Sequence, residues 1–287
     1  MLVRRSGVTE ARHAVHAVAV RGGAVVAEAG QPALVTLMRS SAKPLQALPL
    51  VRAVPELTTE EVAIASASHL ARPEQLAPVR ALLVRAGASE QDLECGPVDG
   101  SRVRHNCSGK HAGMLLLARV RGWERAGYRR PEHPVQRAAL AEVAAAADLP
   151  EDEIATATDG CGVVTFALPL ERMALAFSRL DALDGGATVA AAMQVHPELI
   201  RGDEAADTML MRALAGWTAK GGAEGLMCAG GPDGLGVALK VEDGNTRALK
   251  PALATFLADL GLDLDGFHSV AVRNSRGEVC GEVVAQE

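Results

Sequence analysis

Aromatic residues are scarce in this 287-residue chain: two Trp, one Tyr and four Phe amount to 2% of it. A chain with so few aromatic rings offers little surface on which unpaired bases could stack. Positive charge is not in excess either, because 29 Lys and Arg stand against 35 Asp and Glu, for a net charge of -6. We therefore expect no nucleic-acid partner, since polyanions bind positively charged surfaces.

Long hydrophobic runs and paired cysteines are also missing. No apolar stretch approaches the roughly 20 residues that span a bilayer, and the first residues lack the apolar core of a secretion signal. The cysteines are odd in number and far apart, which favours reduced thiols over a disulfide framework. We expect a soluble cytoplasmic protein without a membrane partner. The five cysteines are Cys95, Cys107, Cys161, Cys228 and Cys280.

Both ends of the chain have the alternating pattern of antiparallel strands. Residues 13–30 alternate apolar and other residues around a Gly-Gly pair, which predicts a hairpin. Residues 225–244 and 268–284 repeat this pattern, with Gly, Asn or Asp between β-rich runs. A helical segment at 251–262 connects these two pairs. The chain ends are therefore predicted to be rich in strands.

The middle of the chain is rich in Ala and Leu with helical periodicity. No linker or repeat marks a domain boundary, so we expect one domain, residues 1–287, with a mainly helical subdomain at about 70–200. The predicted fold is α/β of the α+β type, in which the N- and C-terminal strands share an antiparallel sheet flanked by helices. The clearest helical segments are 73–87, 133–149, 186–199 and 207–219.

The stretch "RSSAKP" places Ser40 three residues before Lys43, on the same side of a helix. A serine hydroxyl becomes a nucleophile when a base takes its proton, and a lysine serves when burial lowers its pKa. Pro44 fits only the first turn of a helix, which places Ser40 where free N–H groups would stabilise an oxyanion. The alternative is a capping serine beside a solvated lysine.

A second element, "KGGAEG", has Lys220 two residues before Gly222 at a predicted strand. Penicillin-recognising enzymes place a Lys-Thr-Gly element in this context, after a Ser-x-x-Lys pair and a helical region. Gly222 lets the backbone approach a ligand, and the N–H near Ala223 is a candidate second oxyanion donor. The alternative is a glycine-rich entry to a strand.

Two segments, 104–114 and 156–170, each contain a cysteine among small and polar residues. If a helix begins near 107, then Cys107, Lys110 and His111 share one face, and Cys161 could join them around a soft metal such as zinc. The alternative is two buried free cysteines.

Asp159 precedes the Gly-Cys-Gly sequence of the segment 156–170. Its carboxylate could receive the ammonium group of a ligand. The alternative is an Asx turn within the chain.

Together these motifs resemble the rhizobial-type (class 3) L-asparaginase family. They occur in the expected order between about residue 13 and residue 284. The family is distantly similar to serine-dependent glutaminases and β-lactamases. The resemblance implies a related fold with a helical subdomain, hydrolysis of L-asparagine to L-aspartate and ammonia, and a homodimer. The motifs are "RSSAKPLQALPL", "ASASH", "NCSGKHAGML", "TDGCGVVTFALPL", "HPELIRG" and "KGGAEGLMCAG".

The family has two Ser-Lys tandems, and the resemblance carries both to this chain. The first is Ser40, the nucleophile, with Lys43 as its base. The second pairs a serine of "SASASH" with Lys220. Ser68 is the first choice for this serine and Ser66 the second.

Two features of the second tandem leave alternatives. Lys240 is another possible partner, although a lysine in an alternating strand usually faces solvent. The family often continues Ser-His-Ser-Gly-Glu, whereas this chain reads "SHLARPE". If the second family serine follows the histidine, its place is taken by Leu70.

The resemblance also implies zinc near the substrate, held by Cys107, Cys161 and the amine of Lys110 rather than by His111. A lysine ligand must be neutral, so binding should weaken as the pH falls.

The implied substrate pocket is lined by Arg39, Asp159 and His111. Asp159 would receive the substrate ammonium, Arg39 a carboxylate or a structural role, and His111 is equally a core histidine. The implied mechanism is a double displacement through an aspartyl ester on Ser40. Ser68 and Lys220 would relay protons.

Two other functions share these motifs. One is a related serine hydrolase that acts on glutamine or a β-lactam. The other is a catalytically silent protein that binds a metal or an amino acid.

Overall fold

All strand pairings in the structure, a computed structural model that describes residues 1–286, are antiparallel. The strands of these residues form three sheets. They are β1 (Leu2–Arg5), β2 (Val8–Arg12), β3 (Val15–Arg21), β4 (Ala24–Ala29), β5 (Val35–Leu37), β6 (Ala155–Thr158), β7 (Val164–Pro169), β8 (Thr218–Gly222), β9 (Leu226–Gly230), β10 (Leu235–Val241), β11 (Ser269–Arg273) and β12 (Val279–Val284).

Most of the helices lie between β5 and β8. A helix occurs in each of the four predicted segments of the middle region and near 251–262, with two differences in extent. The segment 186–199 is divided into α8 and α9 at His196, and the segment 207–219 ends as a helix at Ala213 and enters strand β8 at Thr218. None of the helices in the described residues is long and apolar enough to cross a membrane. They are α1 (Lys43–Gln46), α2 (Leu48–Ala53), α3 (Thr59–Ala65), α4 (Pro73–Ala86), α5 (Ser108–Val120), α6 (Pro134–Ala147), α7 (Leu170–Ser178), α8 (Gly186–Val195), α9 (Pro197–Ile200), α10 (Ala206–Ala213) and α11 (Leu249–Ala258).

The terminal strands meet as predicted, but in two sheets rather than one. The central sheet has the order β4-β3-β10-β9-β8, and the second has the order β11-β12-β1-β2. Gly22 and Gly23 form the first hairpin turn with φ of +60° and +83°, which glycine adopts without strain. A third sheet, β5-β7-β6, was not predicted. The reason is that β7 is a continuous apolar run, whose periodicity does not separate strand from helix.

Helix α7 covers one face of the central sheet at very short range. A Cβ atom on Gly236 would lie 1.9 Å from the carbonyl oxygen of Ala174, and one on Gly230 would lie 2.1 Å from that of Phe177. Only glycine at these two positions allows this approach. Helix α11 covers the opposite face, where it packs on β10 and on β11 and β12 of the second sheet.

Strand β8 forms an edge of the central sheet, and its side chains alternate between the two faces. Lys220 is the partner of Cys228 in the register, and Gly221 is the partner of Met227. Lys220 and Cys228 therefore lie on the α7 face, and Gly221 and Met227 on the α11 face.

The contact with α7 predicts a large stability difference between two Gly→Ala variants. Gly236→Ala should lower the free energy of unfolding by roughly 1–3 kcal/mol, because backbone must move to admit the methyl group. Gly96→Ala is the control, since its Cβ would meet nothing within 4 Å. Urea denaturation measures both; equal midpoints for the two variants would contradict the close packing of α7 on β10.

Candidate active site

The Ser-x-x-Lys element lies on a 3-10 turn, Arg39–Ala42, that leads directly into α1. Arg39 has a φ of +49°, an uncommon conformation for a residue with a side chain that often marks functional sites. The turn is anchored to β7, because the Arg39 N–H donates to Thr165 Oγ1 at 3.0 Å. Ser40 is half-buried on this turn, and Lys43 is fully buried.

The amine of Lys43 is held by the loop after α3. It donates to Ser68 Oγ at 2.9 Å and to the carbonyl oxygen of Ala67. Burial lowers the pKa of Lys43, and the charge of Lys110 lowers it further. Within residues 1–286 the hydroxyl of Ser40 makes no hydrogen bond. The Lys43 amine is thus in direct contact with Ser68, the serine expected in the second tandem.

This contact changes the pairing expected from the sequence. Ser68 was predicted to partner Lys220, whereas the structure joins it to Lys43. The alternative, Ser66, donates to the carbonyl oxygen of Val62 in its own helix. Leu70, at the position where the family often has serine, is more than half exposed.

Lys220 lies on β8 with its amine fully buried. The amine donates to the carbonyl oxygen of Gly221 at 2.7 Å and to Asp207 Oδ2 at 3.5 Å. Burial lowers the pKa of Lys220 to about 8, with smaller effects from the charges of Lys43 and Arg201, and Asp207 opposes this shift. Lys220 therefore carries a readily removed proton at neutral pH.

Asp207 is a residue that the sequence did not indicate. It is buried in α10 and also accepts a hydrogen bond from the Gly221 N–H at 3.0 Å. No motif links it to Lys220, because the two meet only through the packing of α10 on β8.

The two lysine elements are neighbours in space. Ser41 Oγ donates to the carbonyl oxygen of Lys220 at 2.8 Å. A Cβ on Gly222 would lie 2.9 Å from the carbonyl oxygen of Met38, so only glycine lets β8 approach the turn this closely. Ala223 follows in the turn between β8 and β9. The backbone of this turn thus lies beside the Ser40 segment.

Lys240, the alternative to Lys220, is placed elsewhere. It lies on β10 and is buried, contrary to the expectation of a solvent-facing side chain. Its amine donates to the carbonyl oxygens of Val241 and Glu242. Burial lowers the pKa of Lys240, and the charges of Glu224 and neighbouring carboxylates oppose this shift.

A cluster of sulfur, nitrogen and carboxylate groups lies next to Lys43. Lys110 Nζ is 3.3 Å from Cys161 Sγ and 3.9 Å from Asp159 Oδ2. The neighbouring Cys161 thiol, followed by the charges of Lys43 and Lys110, lowers the pKa of Cys107 despite its burial. Burial would lower the pKa of Lys110, but Cys161, Cys107 and Asp159 together raise it. The cluster therefore favours the ionised form of Cys107 and the protonated form of Lys110.

Asp159 is held by two donors on one oxygen. Its Oδ1 accepts from Arg39 Nε at 2.7 Å and from the Gly160 N–H at 2.8 Å. Burial would raise its pKa, but Lys110 and Arg39 lower it below the usual range. Arg39 is thus the structural partner of Asp159, and the carboxylate is ionised.

The donor set of this cluster fits a soft divalent metal. Among the described residues, no three His, Cys, Asp or Glu side chains are grouped as a metal site would need. Cys107 and Cys161 therefore require Lys110 as the third donor. Two sulfurs and a nitrogen are ligands that zinc accepts, once the Lys110 proton has been lost.

His111 lies in the core behind this cluster. Its ring is fully buried, and Nδ1 contacts the hydroxyl of Tyr128 at 2.6 Å. That hydroxyl also accepts from the Glu94 N–H, and Nε2 of the ring is buried without a hydrogen-bond partner among the described residues. Burial lowers the pKa of His111 well below its usual value. The histidine therefore supports α5 as a neutral core residue.

Comparisons with known proteins bear on this arrangement. A family profile described as L-asparaginase II matches residues 1–285. No curated protein matches the chain in sequence. A solved structure described as "Crystal Structure Analysis of Mglu in its native form" superposes with a TM-score of 0.51 at 12% identity over 88% of this chain. The chain spans 65% of the length of that structure, whose likeness confirms the mixed α/β fold with antiparallel sheets. Since the profile covers nearly every residue, the chain belongs to the L-asparaginase II family.

Proposed function

We propose that the protein hydrolyses L-asparagine to L-aspartate and ammonia with Ser40 as the nucleophile. Family membership supports the substrate class. The observation that carries the mechanism is the environment of Lys43, whose amine donates to Ala67 and Ser68. Burial lowers the pKa of Lys43. Once its amine has lost a proton, two N–H groups remain for these bonds and one lone pair is left to accept the proton of Ser40.

The proposed reaction is a double displacement. Ser40 attacks the side-chain amide carbon, Lys43 takes the hydroxyl proton, and this proton leaves with ammonia. The backbone N–H groups of Ser40 and Ala223 would stabilise the oxyanion. Water then hydrolyses the aspartyl ester by the same steps in reverse.

The remaining residues of the site have supporting roles in this proposal. Ser68 fixes the position of the Lys43 amine, and Lys220 exchanges protons with the reacting groups. Asp159, ionised and next to the Ser40 turn, would bind the substrate ammonium. Its bond to Arg39 holds the carboxylate in place.

We also propose that Cys107, Lys110 and Cys161 hold a soft divalent metal such as zinc. The contact of Lys110 with Cys161 beside Asp159, and the interaction of the Cys107 thiol with Cys161, support this site. When bound, such a metal would polarise a nearby ligand atom and order the pocket. The chain's own residues perform each proton transfer described above.

Substitution of the nucleophile gives the most direct test. Ser40→Ala should lower ammonia release from L-asparagine by about a thousand-fold or more, because no covalent ester can form. Ser68→Ala should leave a remnant, since it only positions Lys43. Ser66→Ala is the control, because its hydroxyl bonds only to its own helix. Release is measured from L-asparagine and L-glutamine side by side; wild-type turnover by Ser40→Ala would place the nucleophile elsewhere.

The pKa of Lys220 predicts the pH dependence. If Lys220 works as a neutral amine, kcat/KM should rise as the pH increases through about 8. Asp207 raises the pKa of Lys220, so Asp207→Asn should move this rise to lower pH. Glu74→Gln, a surface change on α4, should leave the profile in place. A profile that falls through pH 8 would show that Lys220 is required as a cation.

Metal binding should depend on Cys107 and on pH. We expect about one zinc ion per chain in the wild-type protein and a large loss of zinc in Cys107→Ala, measured by elemental analysis. Cys280→Ser, remote from the cluster, is the control. Affinity should fall between pH 8 and pH 6.5, because the metal must displace protons from Lys110 and Cys161. Full zinc content in Cys107→Ala would refute this ligand set.

A further inference from the structure

A second cavity lies on the face of β8 opposite Lys220. Its volume is about 340 Å³, within the usual range of small-molecule sites. Gly221 and Met227 form its floor, and their side of the strand is the one that α11 covers. The walls come from the segment before α10 and from the start of α11. Neither Ser40 nor Lys220 lines this cavity.

Three cations line the cavity without an acidic partner. Within residues 1–286, Arg201, Arg247 and Lys250 form no ion pair with a carboxylate. Arg247 Nε donates to His13 Nε2 at 2.9 Å. Lys250 Nζ lies 3.0 Å from Met209 Sδ. His13 is bound in turn through Nδ1 to Asp243 Oδ2 at 2.6 Å, and Lys250 Nζ also lies 5.9 Å from the centroid of the Phe267 ring. These partners orient the two side chains, and among the described residues no carboxylate contacts either cation directly.

Two carboxylates complete the lining, and only one of them is engaged. Asp207 already accepts hydrogen bonds from Lys220 and from the Gly221 N–H. Glu204 is exposed and forms no ion pair in the described part of the chain. Three cations and one carboxylate that form no ion pair within residues 1–286 therefore line the same small volume, which leaves an excess of positive charge.

We propose that this cavity binds an acidic amino acid, with its two carboxylates on Arg201, Arg247 and Lys250 and its ammonium group on Glu204. The charge pattern of such a ligand, two negative groups and one positive, complements the lining. Arginine binds carboxylates in a two-pronged geometry, which favours this class over neutral amides. The cavity lies across β8 from Lys220, and Gly222 borders both the cavity and the Ser40 turn. The proposal does not rest on the reaction proposed for Ser40. The cavity reaches Lys220 through Asp207, which contacts both.

Calorimetric titration of the whole protein with L-aspartate and with succinate tests this proposal. Wild type should bind L-aspartate, and Arg201→Gln should weaken binding by roughly tenfold or more, as expected for a lost charged hydrogen bond. Arg121→Gln, an exposed arginine at the end of α5, should change nothing. Succinate lacks the ammonium group and should bind more weakly. Glu204→Gln should remove this preference for L-aspartate.

The variant Asp159→Asn distinguishes binding at the Ser40 pocket from binding at the cavity. This variant should retain L-aspartate binding if the cavity is the site. Loss of binding in Asp159→Asn with full binding in Arg201→Gln would overturn the cavity proposal while supporting the Ser40 pocket. Absence of saturable binding to wild type would also overturn it. Should Asp159→Asn fail to fold, a crystal structure of wild type with L-aspartate decides, because ligand density must then lie against Arg201.

Discussion

The burial of three lysine amines in one site is the constraint on which the rest of the arrangement depends. Lys43, Lys110 and Lys220 are each at most 4% exposed, and a buried charge is costly unless it is paired or neutralised. The free-energy cost of burial is offset in a different way for each amine. The pKa of Lys43 is lowered, Lys110 keeps its proton beside Cys107, Cys161 and Asp159, and Lys220 is only partly compensated by Asp207. Burial and the neighbouring charges therefore give the three amines of one site different pKa values.

The fold holds these amines close together by close approach of backbone to backbone. Gly222 brings β8 against the Ser40 turn, and Gly236 brings the central sheet against α7. The Ser41 hydroxyl then joins the turn to Lys220 across elements far apart in sequence. A side chain at Gly222 would separate the two lysine elements, and one at Gly236 would separate the sheet that carries Lys220 from α7. The glycines of the sheet thus have as direct a part in the site as the polar residues.

The sequence predicted those parts of the site that depend on local spacing. Ser40 and Lys43 share one turn, and Cys107 and Lys110 share the start of α5, so their proximity follows from the geometry of the turn or helix. The hairpins and the main helices were predicted for the same reason. The resemblance to the asparaginase family then indicated that the segments 104–114 and 156–170 meet, but not which of their atoms are in contact.

Contacts that depend on tertiary packing were missed or assigned differently. Ser68 meets Lys43 because its N–H is anchored to the carbonyl oxygen of Ile200, more than a hundred residues away. Asp207 meets Lys220 because α10 packs on β8. The division of the terminal strands into two sheets likewise depends on which edges pair, and alternation along a strand carries no such information.

The charges of the cysteine cluster limit what a bound metal could do to Lys43. Without metal, the lowered pKa of Cys107 and the raised pKa of Lys110 favour a thiolate and an ammonium group whose charges would cancel, and Cys107 and burial raise the pKa of Cys161, which favours its neutral thiol. A divalent cation that displaced the protons of Lys110 and Cys161 would leave two thiolates, a neutral amine and two positive charges. The net charge beside Lys43 would be the same in both states. A metal at this site would therefore order the pocket without greatly changing the proton affinity of Lys43, and the basicity of Lys43 would depend chiefly on its burial.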